Sequence, residues 1–343
     1  MTNSEMATDD AGGHLDLTEL PIVLAEVLQQ SLGRPVRMEQ LSTRPSPNWT
    51  SSFLLEIDAV IEGGETLRLL LKSSSRSDLH ETARRVKPSF LHDPRREPAV
   101  YRELLDAANL GTAKYYGESL RRCWLFLERV PGVALFQIGD LSAWREAAQW
   151  LARLHLGFAG EDAPRSQTVP LLCYDAHHFC TWLERARTFQ GERARGPIWD
   201  RLEQGFLNAL DRLSAMSTTL IHGEFYASNV LIETKQNSRR VCAVDWETAG
   251  IGPGLIDLAA LTSGSWPAED RFKMAESYRM ALAGSAPLPD QFSADLDACR
   301  LLLAVKWLGW SADWSPPADQ RQDWLGEAVA LADAMVPKAG GRK

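Results

Sequence analysis

The sequence predicts an α+β fold in which a small β-rich lobe precedes a larger, mostly helical lobe. Three observations support this prediction. Alternating apolar segments cluster before about residue 130, helical periodicity dominates the rest, and Pro131-Gly132 interrupts the pattern between them. We expect a disordered tail at residues 1–13, the first lobe at 14–130 and the second lobe at 131–343.

Composition narrows the class of protein. Hydrophobic residues make up 45% of the 343 residues, enough for two lobes with their own cores. The formal net charge of −8 argues against a nucleic-acid partner, which would favour a basic surface. The five cysteines are an odd number and include no C-x-x-C pair. This usage argues against a disulfide framework or a zinc site and suits a reducing cytoplasm.

The N-terminal segment "MTNSEMATDDAGG" is polar and acidic, without the basic and apolar regions of a signal peptide. No later segment is apolar for the roughly 18 residues that a membrane span requires. We therefore predict a cytoplasmic protein that does not contact a membrane.

The elements of the first lobe follow from local patterns. "LTELPIVLAEVLQQSLG" has helical periodicity and ends at Gly33, which suits a helix C-terminus. "FLLEIDAVI" alternates as a strand, Gly63-Gly64 predicts a tight turn, and the return strand "ETLRLLLK" places Lys72 on the face opposite its alternating leucines. A helix is predicted to start at Pro98, and "RRCWLFLERV" predicts another strand.

The second lobe is predicted to be helical with one β interruption. Helical periodicity covers "LSAWREAAQWLARLHLGF", "HHFCTWLERARTF" and "IWDRLEQGFLNALDRLSAM". The interruption consists of "TTLIH", "NVLIE" and "VCAVDWE". It carries a cluster of polar residues between apolar strands, which is the candidate functional site.

The spacing within this cluster favours phosphoryl transfer. Glu224 precedes Asn229 by five residues, and Asp245 follows Asn229 by sixteen, on the far strand of a predicted hairpin. Oxygen ligands from Asn and Asp suit Mg²⁺, and the remaining carboxylate is free to accept a proton from a hydroxyl. Lys72 of the first lobe could bind the phosphates.

"HGEFYASNVL" followed by "AVDWETAGIGPGLIDLA" resembles the aminoglycoside phosphotransferase and choline kinase family, which has a bilobal protein-kinase-like fold. "LRLLLK", "REPAVYREL", "WLFLERVPG" and "WLARLH" resemble further family segments in the same order. The pair of "HGE…N" and "DWE" is the specific signal, and the other segments support it.

The resemblance implies roles at the catalytic centre. Glu224 would be the catalytic base, and His222 a structural member of the catalytic loop. Asn229 and Asp245 would be the Mg²⁺ ligands, with Glu247 as a helper. Asp257 would brace the loop from the following helix.

The resemblance also implies a nucleotide site for ATP, in preference to GTP. Lys72 would bind the α- and β-phosphates and pair with Glu97. The backbone from Glu128 to Val130 would receive the adenine. The acceptor would be a small molecule with a hydroxyl group.

Three features depart from the family pattern. The family usually has Asp where this chain has Glu224. The extra methylene displaces the carboxylate by roughly 1.5 Å, and catalytic geometry is sensitive to displacements of about an ångström. The phosphate-covering loop "RPSPNWTSS" has no glycine, so the hydroxyls of Ser51 and Ser52 or backbone N–H groups would replace a glycine-rich flap. Glu97 precedes Pro98, which disfavours helical geometry, so Glu103 is the alternative partner of Lys72.

Parts of the sequence also suggest functions other than that of a small-molecule kinase. A non-catalytic kinase-like binding protein is the main alternative, because of Glu224 and the glycine-free loop. A zinc deaminase is excluded, since the H-x-E of His222 and Glu224 has no accompanying P-C-x-x-C. A protein kinase is disfavoured because no A-P-E follows Asp245.

The acceptor stays open between an aminoglycoside-like antibiotic and an amine or sugar metabolite such as choline, homoserine or a thiosugar. The C-terminal tryptophans suit either core packing or an acceptor pocket, and the nearby acidic residues suit either an ordinary acidic surface or binding of ammonium groups. They are Trp307, Trp310, Trp314, Asp313, Asp319 and Asp323. The sequence predicts no oligomeric state.

Overall fold

The computed structural model describes residues 16–47, 52–79, 81–160, 168–236, 238–282, 284, 287–312 and 322–336. The predicted tail and Ser51 lie outside these ranges, as do Asp313, Trp314 and Asp319. Among the described residues, no helix is long and apolar enough to cross a membrane.

The first lobe is built on a five-stranded antiparallel sheet in the order β1-β2-β3-β5-β4. The predicted alternation of β2 and β3 is confirmed, and the alternate buried residues of both strands share one core with residues of the first helix. Gly63 and Gly64 have φ values of 96° and 80°, which only glycine adopts readily, and form the predicted turn. The elements of this lobe are α1 (Leu20–Leu32), β1 (Met38–Pro45), β2 (Phe53–Ile61), β3 (Glu65–Ser73), α2 (Glu81–Val86), α3 (Arg96–Val100), α4 (Asp106–Ala108), β4 (Tyr115–Ser119) and β5 (Trp124–Glu128).

Helix α3 begins two residues before the predicted start and runs through a π-helical turn, Tyr101–Leu105, into α4. Pro98 is the third residue of this helix. The first N–H groups of a helix have no intrahelical acceptor, so a proline there removes no hydrogen bond. The expected departure of Glu97 from helical geometry is wrong, because Glu97 is the second residue of α3.

The second lobe is mostly helical, as predicted, and contains two three-stranded sheets, β10-β9-β6 and β7-β11-β8. The strands β6, β7 and β11 were not predicted because two to four residues are too few to show a period. The elements are β6 (Val133–Ala134), α5 (Leu141–Gly157), β7 (Leu172–Cys173), α6 (Ala176–Gln190), α7 (Pro197–Ala215), β8 (Thr218–Ile221), β9 (Val230–Lys235), β10 (Ser238–Ala243), β11 (Gly250–Pro253), α8 (Leu255–Leu261), α9 (Ala268–Ala281), α10 (Pro289–Leu308) and α11 (Trp324–Met335).

Helix α10 lies in the centre of the second lobe and packs against α6, α7, α8 and α11. Its second half, "LLLAVKWL", is buried on nearly every side, and Lys306 is the one charged residue within it. The first sheet ends at Glu128, and the chain is mostly helical from α5 onward. The exact domain boundary at residues 130 and 131 stays a prediction.

Candidate active site

The loop between β8 and β9 carries the predicted catalytic residues and is held by one buried carboxylate. Asp257, at the start of α8, accepts hydrogen bonds from His222 N (2.7 Å) and Gly223 N (2.8 Å). Gly223 has φ +82°, and a Cβ there would lie 2.1 Å from the Tyr174 hydroxyl oxygen. The loop therefore requires glycine at this position and a negative charge beneath it.

His222 is a structural member of this loop. Its ring is fully buried, its Nδ1 accepts from Glu224 N (3.3 Å) and its Nε2 lies 2.9 Å from Val244 O. Because Nδ1 is the acceptor, the ring proton is on Nε2 and is donated to Val244 O. His222 thus joins the catalytic loop to the strand that leads to Asp245.

Asn229 and Asp245 lie side by side at the ends of the β9–β10 hairpin. Val244 N donates to Asn229 O (2.9 Å), and Asn229 Nδ2 donates to Glu224 O (3.0 Å). This bond fixes the carboxamide and leaves Asn229 Oδ1 available as an oxygen ligand. Asp245 has the left-handed φ of 69°, unusual for a residue other than glycine, and a 3₁₀ turn, Trp246–Thr248, follows it.

Lys72 and Glu97 form the predicted pair, and the same ammonium group reaches Asp245. Lys72 Nζ lies 2.6 Å from Glu97 Oε2 and 2.5 Å from Asp245 Oδ1; Lys72 and Glu97 are buried, and Asp245 is partly buried. Glu103, the alternative partner, instead pairs with Arg102. The backbone N–H of Trp246 donates to Glu97 Oε1 (3.1 Å), so the two lobes meet at this carboxylate.

Burial and charge perturb the pKa values of all three groups. Burial raises the pKa of Glu97 to about 7, although the Lys72 charge opposes this shift. Burial also acts to raise the pKa of Asp245, but the adjacent Lys72 outweighs it, so the pKa of Asp245 is lowered. Burial acts to lower the pKa of Lys72, yet the carboxylates of Asp245 and Glu97 raise it above the ordinary value.

Glu247 is paired with a second buried lysine that sequence reasoning did not identify. Lys87 Nζ, just after α2, lies 2.5 Å from Glu247 Oε2. Arg96 donates from Nη1 to Glu247 O (2.5 Å) and to Leu91 O (2.8 Å), and from Nε to Pro170 O (2.7 Å). The cationic side chains of Lys87 and Arg96 therefore converge on the "DWE" segment.

The predicted Mg²⁺ ligands form a donor set that suits this ion. Asn229, Asp245 and Glu247 offer one carboxamide and two carboxylates, the hard oxygen donors that Mg²⁺ prefers. In the described part of the chain, no group of three His, Cys, Asp or Glu residues could hold a metal by itself. The ammonium groups of Lys72 and Lys87 balance the charge of the two carboxylates.

Glu224 has an unexpected partner in Lys306 of α10. Lys306 Nζ lies 3.0 Å from Glu224 Oε1 and 3.3 Å from Gly223 O. Lys306 and Gly223, the residue before Glu224, line a cavity. The cavity wall includes Tyr174, His178, Trp182, Ile256, Gly223 and Lys306. A lone lysine in the apolar sequence "LLLAVKWL" was the signal that could have identified this residue.

The predicted nucleotide backbone site lies at the end of β5. Glu128 N donates to Lys114 O (2.8 Å) and Arg129 N to Arg68 O (3.1 Å), whereas Val130 N makes no backbone hydrogen bond to another described residue. The Glu128 carboxylate receives a bidentate pair from Arg240 of β10, at 2.7 and 2.8 Å. Ser52 is buried directly before β2, and its predicted role stays a prediction.

His155, His178 and two tryptophans have structural or cavity-lining positions. His155 is buried and lies 2.8 Å from the Tyr278 hydroxyl, and His178 lines the cavity. Trp182 and Trp310 stack at 5.9 Å between ring centroids. Asp323 is one of the acidic residues suggested as a site for a cationic acceptor. In the structure its carboxylate caps α11 by accepting a hydrogen bond from Gly326 N (2.9 Å).

Comparison with known proteins identifies the family. A family model described as the phosphotransferase enzyme family matches residues 60–302. Viomycin phosphotransferase of Streptomyces vinaceus is 30% identical over 145 residues, which cover 40% of this chain and 49% of that protein. The match thus spans about half the length of this relative.

Solved structures show the same fold at low sequence identity. Choline kinase LicA from Streptococcus pneumoniae superposes with a TM-score of 0.59 and 12% identity, covering 92% of this chain and 100% of that one. The ADP-bound aminoglycoside phosphotransferase APH(2'')-Ib gives 0.56 and 14% identity, covering 91% of this chain and 98% of that one. The predicted bilobal protein-kinase-like fold is confirmed, and the chain belongs to the phosphotransferase enzyme family.

Proposed function

We propose that this protein transfers the γ-phosphoryl group of ATP to a hydroxyl group of a small molecule. The observation that carries the proposal is the Lys72 ammonium group, which joins Glu97 of the first lobe to Asp245 of the second. Asp245 lies beside Asn229, whose carboxamide donates to the backbone of Glu224. A phosphate anchor, a metal-ligand set and a base are thus gathered in one region, which is what phosphoryl transfer requires.

The nucleotide is assigned to the space between the lobes. Lys72, held by Glu97, would bind the α- and β-phosphates, and the backbone from Glu128 to Val130 would receive the adenine. Val130 N supports this placement, since it has no backbone hydrogen-bond partner among the described residues. Ser51 and Ser52 would contribute to the covering loop. ATP is proposed in preference to GTP.

Mg²⁺ would be held by Asn229 and Asp245, with help from Glu247. When bound, it neutralises phosphate charge during transfer. The chain's own part is to hold these ligands in place: the Asn229 carboxamide is fixed by Glu224 O, and the Asp245 backbone is fixed in its left-handed conformation.

Glu224 is proposed as the base. The acceptor oxygen would attack the γ-phosphorus while its proton passes to the Glu224 carboxylate. The bond between the γ-phosphorus and the bridging oxygen would break, with ADP as the leaving group. Preorganised charges and positioning would supply most of the rate enhancement.

The acceptor is proposed to be an aminoglycoside-like antibiotic or another small amine or sugar metabolite. By their names, the aminoglycoside phosphotransferase APH(2'')-Ib acts on an aminoglycoside and the choline kinase LicA acts on choline. The proteins compared are kinases and phosphotransferases, so the non-catalytic alternative gains no support from them.

The test is a thermal-shift titration with ATP and GTP, each with and without Mg²⁺. A ligand that binds only the folded protein raises the melting temperature, so Mg²⁺-dependent stabilisation by ATP is expected. A positive result leads to a screen of hydroxylated amines and sugars for phosphate gain by mass spectrometry. No shift at millimolar nucleotide would contradict the proposal.

A further inference from the structure

Lys306 lies where no sequence motif places a functional residue. It projects from the apolar second half of α10 and is buried, with its ammonium group 3.0 Å from Glu224 Oε1 and 3.3 Å from Gly223 O. One lysine thus contacts both the backbone of the catalytic loop and the carboxylate that the proposed reaction uses.

Two tryptophan rings restrict where this ammonium group can lie. Lys306 Nζ is 5.9 Å from the ring centroid of Trp182 and 5.6 Å from that of Trp310, and the two rings stack on each other. Cation–π attraction holds the ammonium group against these faces, and its remaining hydrogen-bond donors are directed at Gly223 and Glu224. Lys306 is therefore a fixed partner for Glu224 rather than a mobile one.

A stabilising role alone does not explain this pair. An ion pair removed from water gains little net stability, because desolvation of both charges offsets their attraction. What the pair does achieve is a defined position for a flexible carboxylate. A glutamate has one more rotatable bond than an aspartate, and its carboxylate needs an additional contact to stay in one rotamer.

We propose that Lys306 positions the Glu224 carboxylate for phosphoryl transfer, an inference that rests on the proposed function. Lys306 holds Oε1, and Oε2 is left to accept the proton of the acceptor hydroxyl. The glutamate and the lysine form one unit. An aspartate at position 224 would end roughly 1.5 Å short of Lys306 and lose the contact, so Glu224→Asp is expected to lower activity rather than raise it.

The experiment measures hydrolysis of Mg²⁺-ATP with water as the acceptor, so that no identified acceptor is needed. The variants are Lys306→Met, Lys306→Arg, Glu224→Gln and the double variant Lys306→Met/Glu224→Gln. We expect Lys306→Met to lower kcat by about 10- to 100-fold with an unchanged KM for ATP. Lys306→Arg should restore part of kcat, and the double variant should be no slower than Glu224→Gln alone, since the two residues act as a unit.

Three results would overturn the inference: wild-type kcat in Lys306→Met, a KM for ATP that rises as kcat falls, or additive losses in the double variant.

A crystal structure of Lys306→Met provides a second readout that does not depend on turnover. The Glu224 carboxylate should leave its wild-type position, and an unmoved carboxylate would contradict the inference. Failure of the proposed function is distinct, because it appears as a loss of nucleotide-dependent stabilisation in the wild-type protein.

Discussion

Lys72 Nζ lies 2.5 Å from Asp245 Oδ1, although 173 positions separate the two residues in sequence. The same ammonium group lies 2.6 Å from Glu97 Oε2. One side chain of β3 therefore binds a helix of its own lobe and, in the other lobe, the segment proposed to bind the metal ion. The stability of the protein and its binding of nucleotide are expected to depend on this single charge.

Replacing Lys72 by methionine should impair both properties. Glu97 and Asp245 would face each other without a cation, and breaking a buried pair in this way costs about 3 to 5 kcal/mol. Urea unfolding should show this loss, and Mg²⁺-ATP should no longer raise the melting temperature. Lys273→Met, which removes an exposed lysine of α9, is the control and should behave as the wild type. A Lys72→Met variant that retains the nucleotide-dependent shift would contradict the assigned role.

Replacing Lys87 by methionine should make the protein respond to Mg²⁺ alone. Lys87 Nζ is 2.5 Å from Glu247 Oε2, so a metal ion that needs this carboxylate must displace an ammonium group. Without Lys87, Mg²⁺ should raise the melting temperature of the nucleotide-free protein more than it does for the wild type. Lys235→Met, which breaks the more exposed pair with Glu233, is the control. Equal Mg²⁺ responses in all three proteins would exclude competition at Glu247.

The stability of the protein should fall on mild acidification because of His178. Burial, reinforced by the charge of Lys306, lowers the pKa of His178 to about 4, and its Nε2 accepts from Trp182 Nε1 (3.0 Å). The unfolded chain takes up this proton near pH 6.5, so between about pH 6.5 and 4 the unfolded state binds more protons. The contribution of neutral His178 to the free energy of unfolding is therefore fully present above about pH 6.5. It falls by up to about 3 kcal/mol as the pH is lowered towards 4.

Urea unfolding of His178→Gln between pH 4.5 and 7.5 tests this dependence. Glutamine can accept a hydrogen bond but does not titrate in this range, so the variant should have a flatter stability profile than the wild type. His177→Gln, which alters the exposed neighbour, should retain the wild-type slope. Parallel profiles of stability against pH for His178→Gln and the wild type would show that His178 does not cause the pH dependence.

Replacing Asp257 by asparagine should disorder the catalytic loop. The buried carboxylate accepts from His222 N and Gly223 N, and the amide group of asparagine can accept only on one side. The loss of a charge-assisted hydrogen bond should cost about 1.5 to 3 kcal/mol of stability. ATP hydrolysis should fall by about 100-fold, because displacement of the loop by an ångström misplaces Glu224.

The control for Asp257→Asn is Asp333→Asn, which removes an exposed carboxylate that pairs with Arg201 on the surface. It should leave stability within about 0.5 kcal/mol of the wild type and hydrolysis unchanged. Equal rates in Asp257→Asn and Asp333→Asn would show that Asp257 does not position the loop.

The sequence predicted the fold and the polar cluster because both depend on local patterns. Alternation in β2 and β3 placed Lys72 on the face opposite the core, and the spacing of Glu224, Asn229 and Asp245 matched a hairpin. Short strands such as β11 could not be predicted, since pairing with β8 rather than their own composition makes them strands. The geometry at Glu97 was misjudged because the steric restriction on a residue before proline is only a preference, and Glu97 is held in place by Lys72 and by Trp246 N.

The contacts that Lys87 and Lys306 make with Glu247 and Glu224 could not be predicted for a different reason. Each contact joins residues far apart in sequence, 82 positions in the case of Lys306 and Glu224, and neither lysine belongs to a recognisable motif. Only packing of α10 against the catalytic loop brings that pair together. A buried lysine in an apolar helix indicates that a partner exists, but the sequence does not show which carboxylate it is.

Arg96 attaches α3 to the second lobe. Its guanidinium binds Pro170 O and Glu247 O of the second lobe, while the next residue, Glu97, holds Lys72. The helix that supplies the glutamate is thereby anchored to the larger lobe. Any movement of this helix away from the second lobe would have to break the Arg96 hydrogen bonds, so the position of Glu97 is coupled to the contact between the lobes.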